Sequence, residues 1–234
     1  MRYDCLIIDD EKELANNTSE YFNMFDVKTA AVYSAAEADA FLSSNEPSIV
    51  LLDINLSDGS GFELCKKIRQ TLNIPILFIS ARNTDDDKII ALNIGGDDYI
   101  EKPYSLGVLL AKVKVVLKRF ANADQASSSS RKTDFDDGYL RLDSANKTVF
   151  VNGLEKKITS IEWKLLDYLI ENKNRLVTKN EIFDNVWNDR FTTDGTLNVH
   201  IRKIREAIEK DAQDPKYIVT VWKEGYKFVS PEDK

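Results

Sequence analysis

The chain has 234 residues, of which 43% are hydrophobic and 30% are charged, and its formal net charge is −7. This length favours two domains, and the composition is that of an ordinary soluble protein. No apolar run approaches the ~18 residues of a membrane span, and the chain opens directly into a strand pattern, so we expect no membrane segment and no signal peptide. The single histidine, His200, excludes most histidine-based metal and triad chemistry.

Charge and cysteines are placed differently in the two halves. Residues 1–120 hold 13 Lys and Arg against 19 Asp and Glu, whereas 121–234 hold 19 against 20. Neither half is basic enough to indicate nucleic acid by bulk charge. Cys5 and Cys65 both lie in apolar patterns, which favours reduced thiols and a cytoplasmic protein over a disulfide.

The first half alternates strand and helix patterns. Five βα units in about 120 residues predict a doubly wound α/β fold with a five-stranded parallel sheet. One helix shows a capping-box pattern at Ser34 and Glu37. The predicted strands are 3–8, 27–32, 49–52, 76–79 and 98–100, and the predicted helices are 14–25, 34–42, 62–70, 85–93 and 106–119.

The third strand organises this half. Four aliphatic residues, 49–52, lead directly into Asp53, as expected for a strand that is buried on both faces of a sheet. Asp53 then stands at the carboxyl end of the strand, where open α/β sheets bind ligands. Polar residues at the ends of the first, fourth and fifth strands converge on the same edge. They are Asp9, Asp10, Ser80 and Lys102.

This grouping favours phosphoryl chemistry at Asp53. Clustered carboxylates repel each other unless a cation joins them, and oxygen ligands suit Mg²⁺. A lysine supplies positive charge for phosphoryl oxygens, and a carboxylate held there can attack phosphorus. Each residue alone has an ordinary explanation, since an acid pair begins many loops, Ser80 can cap a helix and Lys102 precedes a proline turn. Together, at these strand ends, these residues indicate a functional site.

A linker and a second domain follow. The composition changes after Phe120, and the serines at 127–130 predict a flexible linker over 121–133. Over 134–234, short strands precede three helices and a hairpin with glycine in its turn, which predicts a winged helix-turn-helix α+β domain. The second-half elements are strands 139–142, 148–151 and 155–158, capping boxes at Thr159 with Glu162 and Thr178 with Glu181, a helix over 196–209, and hairpin strands 217–221 and 226–229.

Motifs in both halves resemble the two-component response regulators of the OmpR/PhoB family. The motifs are Asp9-Asp10, Asp53, Ser80-Ala81-Arg82, 95–100, Lys102-Pro103-Tyr104, 165–166, 198–205 and 225–228. The resemblance covers nearly the whole chain except the linker. It implies a phosphorylation-activated, sequence-specific DNA-binding transcription regulator. The implied partners are a cognate sensor histidine kinase, double-stranded DNA, RNA polymerase and a second copy of the chain on phosphorylation, with no membrane.

The resemblance also implies roles for the pocket residues. Asp53 accepts the phosphoryl group, and the protein catalyses only this transfer and its slow reversal by hydrolysis. The residues that bind the group or respond to it are Lys102, Ser80 and Tyr99. The Mg²⁺ ligands are Asp10, Asp53 and the backbone carbonyl of Asn55, with Asp9 acting mainly through water. Asn55 and Arg82 occupy positions that tune dephosphorylation.

For pairing of active receivers, the resemblance implies a face formed by the fourth helix, fifth strand and fifth helix. Val108 replaces a usual glutamate there, so we expect apolar contact in place of one ion pair. Gly96 replaces a usual alanine nearby. The expected interface residues are Lys88, Asp97, Asp98, Val108, Lys112 and Arg119.

The last predicted helix is expected to read DNA. Leu197, Ile201, Ile204 and Ile208 form its core-facing stripe. Trp222 stands where the family usually has arginine, and we expect it to pack beneath the wing. The expected DNA contacts are Thr196, Val199, His200, Arg202, Lys203 and Arg205, with Lys223 at the wing tip.

Two alternatives stay open. A phosphorylation-independent receiver half would leave a DNA-binding regulator with a receiver-like dimerisation domain, although every pocket residue is present. The pocket could instead belong to a Mg²⁺-dependent phosphatase with an aspartyl nucleophile. Such enzymes usually carry a second acid two residues after the nucleophile, where this chain has Asn55.

Overall fold

The computed structural model describes residues 1–82, 84–125, 135–187 and 192–230. The chain divides into two compact units, Met1–Asp124 and Gln125–Lys234, each with its own apolar core. Of the predicted linker, 121–125 continue the last helix of the first unit, whereas 126–133 lie outside the described residues. Residue 134 and the end of the predicted second domain, 231–234, also lie outside them.

The first unit is a five-stranded parallel sheet with helices on both faces, as predicted. Its strands are β1 (Arg2–Ile8), β2 (Thr29–Val32), β3 (Glu46–Asp53), β6 (Ile76–Ser80) and β7 (Asp98–Glu101), and a short pair, β4 (Asn55–Leu56) and β5 (Gly59–Ser60), follows β3. The strand order β2-β1-β3-β6-β7 puts β3 at the centre. Its neighbours pair in parallel register, with Leu51 opposite Ile7 on one side and Leu77 on the other.

The central strand is buried on both faces. Val50 and Leu52 enter one apolar cluster, whereas Ile49 and Leu51 enter the other. All four side chains are fully buried, which confirms the interpretation of the 49–52 run. Burial of each such side chain is worth about 1.5–3 kcal/mol, so packing on both faces fixes the position of the acid that follows.

The helices of the first unit are α1 (Lys12–Met24), α2 (Ala35–Leu42), α3 (Gly61–Thr71), α4 (Asp85–Asn93) and α5 (Leu106–Gln125). Side-chain oxygens of Ser34, Ser60 and Thr84 cap α2, α3 and α4. The capping box predicted for α2 is only half formed, because the Glu37 carboxylate accepts from the Tyr33 amide. The predicted end of α5 at 119 is wrong, since the helix continues to Gln125.

The second unit has the predicted winged-helix architecture. Its strands are β8 (Phe135–Asp136), β9 (Leu140–Asp143), β10 (Thr148–Val151), β11 (Leu154–Lys156), β12 (Val177–Thr178), β13 (Ile218–Val221) and β14 (Gly225–Phe228). Its helices are α6 (Ser160–Glu171), α7 (Lys179–Ile182), which a π-helical turn extends over Phe183–Trp187, and α8 (Asp194–Ile208). An antiparallel sheet of order β11-β10-β9-β8 precedes the helices, and β13 and β14 form the terminal hairpin.

Local chemistry explains the ends of these elements. Thr159 with Glu162 and Thr178 with Glu181 form complete capping boxes, which confirms both sequence patterns. The glycine predicted in the hairpin turn is instead the first residue of β14. A Cβ on Gly225 would lie 2.1 Å from the Val177 carbonyl oxygen, so close strand packing requires the glycine.

A steric reason accounts for Gly96 in place of alanine. A Cβ there would lie 2.7 Å from Cδ2 of Phe78 and 2.9 Å from the Ala91 carbonyl oxygen. Phe78 is fully buried and packs edge-on against Phe62 at a centroid distance of 5.6 Å. The glycine and the phenylalanine are therefore matched to each other in volume.

We expect Gly96→Ala to lower the free energy of unfolding of the first unit by roughly 1–3 kcal/mol, because it overpacks the site beside Phe78. Phe78→Leu should recover much of this loss in the double variant, and denaturant unfolding followed by circular dichroism measures the coupling. Gly107→Ala is the matched control, since its nearest atoms lie 3.8 Å or more from the new Cβ. Strictly additive effects of the Gly96 and Phe78 substitutions would contradict the proposed match.

Candidate phosphoryl-acceptor and DNA-binding sites

Three carboxylates meet at the carboxyl edge of the sheet. One oxygen each of Asp9, Asp10 and Asp53 lies within 4.8 Å of the others. Asp9 and Asp53 are both buried. Burial raises the pKa of Asp9 despite the nearby Lys102. A set of three carboxylates that offers only oxygen ligands fits a hard cation such as Mg²⁺.

Lys102 faces these acids from the loop after β7. Its Nζ donates to Oδ2 of Asp53 at 2.6 Å and to Oε1 of Glu11 at 2.7 Å, and it lies 2.7 Å from Oδ2 of Asp9. Burial opposes its charge, but the three carboxylates outweigh burial and raise the pKa of Lys102. A protonated ammonium is therefore held beside Asp53, where it can meet phosphoryl oxygens.

Ser80, Arg82 and Tyr99 form a chain of contacts beside the acids. The buried Ser80 hydroxyl accepts from the Arg82 amide at 3.2 Å. Tyr99 donates its hydroxyl proton to the Arg82 carbonyl at 2.5 Å, and the Arg82 guanidinium donates to Oδ1 of Asn55 at 2.8 Å. The structure thus brings the predicted pocket residues together and links them to β7.

Two residues of this site escaped the sequence argument. Glu11 contributes the third carboxylate at Lys102, and the acid run 9–11 was its only signal. Gly61 begins α3 against the backbone of Asp53, where a Cβ would lie 1.9 Å from the Asp53 carbonyl oxygen. The Gly-Ser-Gly sequence at 59–61 signals a close backbone approach, but it does not identify the partner.

The predicted pairing face needs correction. Asp97 is buried, where it pairs with Arg69 at 2.5 Å and accepts from the Ile76 amide at 2.8 Å. Asp98 and Lys112 form a buried pair at 2.7 Å. These three charged residues are therefore engaged inside one chain and are not displayed for a partner. The side chain of Arg119, also predicted for this face, lies outside the described residues.

The rest of that face is more apolar than predicted. Lys88 pairs with Glu101 on β7 of the same chain at 2.5 Å. Val108 on α5 and Ile90 on α4 are each 45% exposed. Exposed apolar side chains are therefore part of the surface that α4 and α5 offer.

Helix α8 buries a wider arc than one apolar stripe. Thr196 and Val199 are each only 6% exposed, and His200 is completely buried. Direct DNA contact by His200 is therefore wrong as predicted, and the other two have little surface to offer. The prediction from helical periodicity assumed that α8 packs on one side only, but α8 is packed among α6, the π-helical turn and the hairpin. The exposed line of α8 instead runs through Asp194, Gly195, Asn198, Arg202 and Glu206.

Lys203 and Arg205, two of the cations predicted to bind DNA, make contacts within the second unit. Oε1 of Glu162 on α6 lies 2.7 Å from Nζ of Lys203 and 3.4 Å from Nδ1 of His200. Burial opposes ionisation of Glu162, but His200 and Lys203 outweigh it and lower its pKa to about 2. Arg205 donates to the Ile218 carbonyl at 2.6 Å and to the Thr220 hydroxyl at 2.8 Å. Lys203 and Arg205 therefore stabilise the unit from within.

Arg202 and Trp222 have exposed side chains on the surface predicted to bind DNA. Arg202 lies 3.4 Å from Glu206 one turn later, and both are about half exposed. Trp222 is 80% exposed at the hairpin tip, so the expectation that it packs beneath the wing is wrong. Lys223 follows it with φ +64°, which puts the wing-tip lysine in the turn itself.

Comparison with known proteins identifies the class. Residues 5–114 match the response regulator receiver domain, and residues 153–228 match the C-terminal domain of transcriptional regulatory proteins. The chain is 35% identical over 223 residues to the sensory transduction protein RegX3 of Mycolicibacterium smegmatis, covering 95% of this chain and 97% of that protein. It is also 35% identical over 237 residues to the transcriptional regulatory protein YvrH of Bacillus subtilis, covering 98% and 97%.

Solved structures agree with these matches. The response regulator DrrB, described as a Thermotoga maritima OmpR/PhoB homolog, is 28% identical with a TM-score of 0.52, covering 98% of this chain and all of that one. A RitR variant shares the fold, with a TM-score of 0.75 at 23% identity over 97% and 98% of the two chains. The protein is thus a two-component response regulator with a receiver and a winged-helix DNA-binding domain. Within that class, it belongs to the OmpR/PhoB family.

Among the helices of the described residues, none combines the length and the apolar character needed to cross a membrane.

We expect Glu162→Gln to destabilise the second unit near neutral pH by roughly 3 kcal/mol, because Lys203 loses its buried counter-charge. The folded pKa of Glu162, about 2, lies below its ordinary value of 4.5. Its stabilisation is therefore complete above about pH 4.5 and is lost as the pH falls toward 2. The difference between parent and variant should shrink over that range.

Urea unfolding followed by tryptophan fluorescence measures this difference, since all three tryptophans lie in the second unit. Glu181→Gln is the matched control, because Glu181 completes the other capping box from a partly exposed position, whereas Glu162 is buried. A pH-independent difference for the Glu162 variant would show that charge is not its contribution.

Proposed function

We propose that this response regulator takes a phosphoryl group on Asp53 from a cognate sensor histidine kinase and then binds specific DNA as a homodimer. The observation that carries the proposal is the contact of Lys102 with Asp53 and Asp9 in a cluster of three carboxylates. The protein is cytoplasmic in this proposal, and it regulates transcription through RNA polymerase. Beyond transfer to Asp53 and slow hydrolysis from it, it is not an enzyme.

The transfer follows from the geometry of the pocket. A carboxylate oxygen of Asp53 attacks the phosphorus of the phosphohistidine, and the P–O bond forms while the P–N bond breaks. The electron pair of the broken bond leaves on the imidazole nitrogen. The Lys102 ammonium, already 2.6 Å from Asp53, stabilises charge on the phosphoryl oxygens.

Magnesium belongs to the same proposal. Asp9, Asp10, Asp53 and the carbonyl of Asn55 would hold the ion, which neutralises charge on the transferring group when bound. The ligand atoms are oxygens alone, and one oxygen of each of the three carboxylates lies within 4.8 Å of the others, so the set suits a hard divalent cation.

The response to phosphorylation runs through Ser80 and Tyr99. The Ser80 hydroxyl now accepts from the Arg82 amide and can turn to donate to a phosphoryl oxygen. That movement changes the support for Arg82, whose carbonyl accepts from the Tyr99 hydroxyl. Tyr99 lies on β7, so the pairing face formed by α4, β7 and α5 senses the change.

DNA recognition is assigned to the exposed line of α8. Asn198 and Arg202 face outward on it, and Asn and Arg are the side chains that pair with adenine and guanine in the major groove. Asn198 already accepts from the Tyr226 hydroxyl at 2.8 Å, which orients its amide. Arg202 is the most exposed of the three cations on α8, and Lys223 contacts phosphate at the wing.

We expect a small-molecule phosphodonor with Mg²⁺ to label the parent protein and to leave Asp53→Asn unlabelled, because the amide cannot form the acyl phosphate. Intact-mass spectrometry measures the label. Asp26→Asn is the matched control, since Asp26 lies exposed in a loop. Labelling of Asp53→Asn at the parent level would refute the assignment.

The same two proteins separate the proposal from its alternative. Phosphodonor treatment should increase the amount of specific genomic DNA that the parent retains and should leave Asp53→Asn unchanged. Equal retention with and without phosphodonor would favour a phosphorylation-independent regulator. Continuous turnover of an added phosphoester would favour the phosphatase.

We expect Val108→Lys to weaken phosphorylation-promoted dimers by about tenfold or more, because it places a charge in an apolar contact. Sedimentation equilibrium at low and high salt measures the constant, and the parent should show weak salt sensitivity because the buried pair of Asp98 and Lys112 stays within one chain. Leu154→Lys is the control, as Leu154 is an exposed apolar residue of the other unit. A parent that stays monomeric after full phosphorylation would rule out this pairing.

A further inference from the structure

Asp58 joins two elements of the receiver that are separate in the chain. It lies in the turn of the short antiparallel ribbon that β4 and β5 form after Asp53. Its carboxylate accepts from consecutive amides at the start of α2, Oδ1 from Ala35 at 2.8 Å and Oδ2 from Ala36 at 3.0 Å. These hydrogen bonds lower the pKa of Asp58. Two parallel bonds to one carboxylate fix both the distance and the orientation of the turn against the helix.

The start of α2 is completed by this residue of the ribbon. The first amides of a helix have no partner within the helix. Ser34 accepts from the Glu37 amide at 3.1 Å, and Asp58 takes the two amides that precede it. The helix dipole also favours a negative charge at this end.

Helix α2 is held by the core of the receiver. Ala38 is fully buried in the apolar cluster on this face of the sheet. Leu56 of the ribbon is buried in the same cluster, against which Ala35 packs. The turn at Asp58 is therefore fastened to an element that the core keeps in place.

The base of the ribbon meets the phosphoryl-acceptor site. The Asn55 amide donates to Oδ1 of Asp53 at 3.1 Å. The Gly61 amide donates to the Ile54 carbonyl at 2.8 Å, which closes the ribbon. The carbonyl of Asn55 is a proposed Mg²⁺ ligand, and as a backbone group it has no side-chain torsion of its own. Its position therefore depends on how the ribbon is held at its base and at its turn.

We propose that Asp58 is a positioning residue for the metal site, which holds the ribbon turn to α2 and so keeps the Asn55 carbonyl where Mg²⁺ can bind. This inference rests on the proposed function, since Mg²⁺ and its ligands belong to that proposal. Substituting a residue that orients a metal ligand typically costs roughly 10–100-fold in metal affinity. Because Asp58 is exposed and acts through backbone, the lower end of that range applies.

The first test is the Mg²⁺ affinity of the full-length protein, measured by amide NMR with Mg²⁺ alone as the probe. Asp58→Ala should bind Mg²⁺ about tenfold more weakly, and Asp58→Asn should lose less, because the amide keeps one acceptor oxygen. Ser34→Ala is the matched control, since it removes the other cap of α2, and it should bind like the parent. Parent-like affinity in Asp58→Ala would overturn the inference. An equal loss in Ser34→Ala would also overturn it, because helix capping alone would explain the effect.

Position must also be separated from charge, because any carboxylate near the site attracts Mg²⁺. The titrations are therefore repeated at about 1 M salt, where exposed charges are screened beyond about 3 Å. The difference between Asp58→Ala and the parent should persist there, since it depends on a contact. A difference that disappears at high salt would overturn the inference in favour of long-range attraction.

The second test observes the contact itself. Linkage requires Mg²⁺ to stabilise the contact by the same factor by which the contact strengthens Mg²⁺ binding. Hydrogen exchange at the Ala35 and Ala36 amides of the parent should therefore slow about tenfold when Mg²⁺ is bound. The Glu37 amide, which Ser34 caps, should change less. Unchanged exchange at Ala35 and Ala36 with Mg²⁺ bound would overturn the inference.

Phosphodonor labelling distinguishes failure of this inference from failure of the proposed function. Asp58→Ala should be labelled slowly at low Mg²⁺ and at the parent rate once Mg²⁺ saturates the site. A deficit that remains at saturating Mg²⁺ would overturn the inference, because Asp58 would then act on the transfer. If the parent neither binds Mg²⁺ nor takes the label, the proposed function falls and this inference falls with it. If the parent does both and Asp58→Ala matches it at every Mg²⁺ concentration, only the inference falls.

Discussion

The contact between Lys102 and Asp53 is the interaction on which the receiver depends. Three acids cannot share a sheet edge without a counter-charge, since burying like charges together costs several kcal/mol per ion. Lys102 supplies that charge from the far side of the edge, 2.6 Å from Asp53 and 2.7 Å from both Asp9 and Glu11. The contact is also exchangeable, because phosphoryl oxygens can accept the same protons. One arrangement therefore serves both the resting fold and the proposed reaction.

Under the proposed function, the surrounding contacts offer a route from the pocket to the surface of the receiver. Ser80, Arg82 and Tyr99 connect the pocket to β7 through two hydrogen bonds, and Asp98 ties β7 to α5 through buried Lys112. Asp98 and Lys112, near the proposed pairing face, are thus paired with each other within the chain, where they connect β7 to α5. The exposed side chains of α4 and α5 include the apolar Ile90 and Val108. Pairing through this face would then depend on the positions of whole elements more than on individual ion pairs.

The sequence predicts the features that strand topology and hydrophobic periodicity control. It misses those that depend on contacts between residues far apart in the chain. The 49–52 run predicts a buried strand, and parallel strands bring Asp9, Asp53 and Lys102 to one edge whatever the details. No spacing rule pairs Glu162 with Lys203, which lie on different helices. The helical wheel failed at His200 for the same reason, because α8 packs in more than one direction. The position of Trp222 was predicted wrongly, because no periodic sequence pattern marks an exposed side chain at a hairpin tip.

Buried carboxylates with lysine partners occur in both units, so burial and pairing alone do not distinguish a reactive site from a structural one. The balance of charge around the lysine does. Glu162 uses both of its oxygens, Oε2 for the Thr159 amide and Oε1 for Lys203 and His200, which leaves no place for a ligand. At the sheet edge, Asp9, Asp10 and Asp53 come within 4.8 Å of one another, and Lys102 brings one positive charge to Asp9, Asp53 and Glu11. The excess of negative charge favours a bound cation there, and this difference supports the proposed chemistry at Asp53 and a structural role for Glu162.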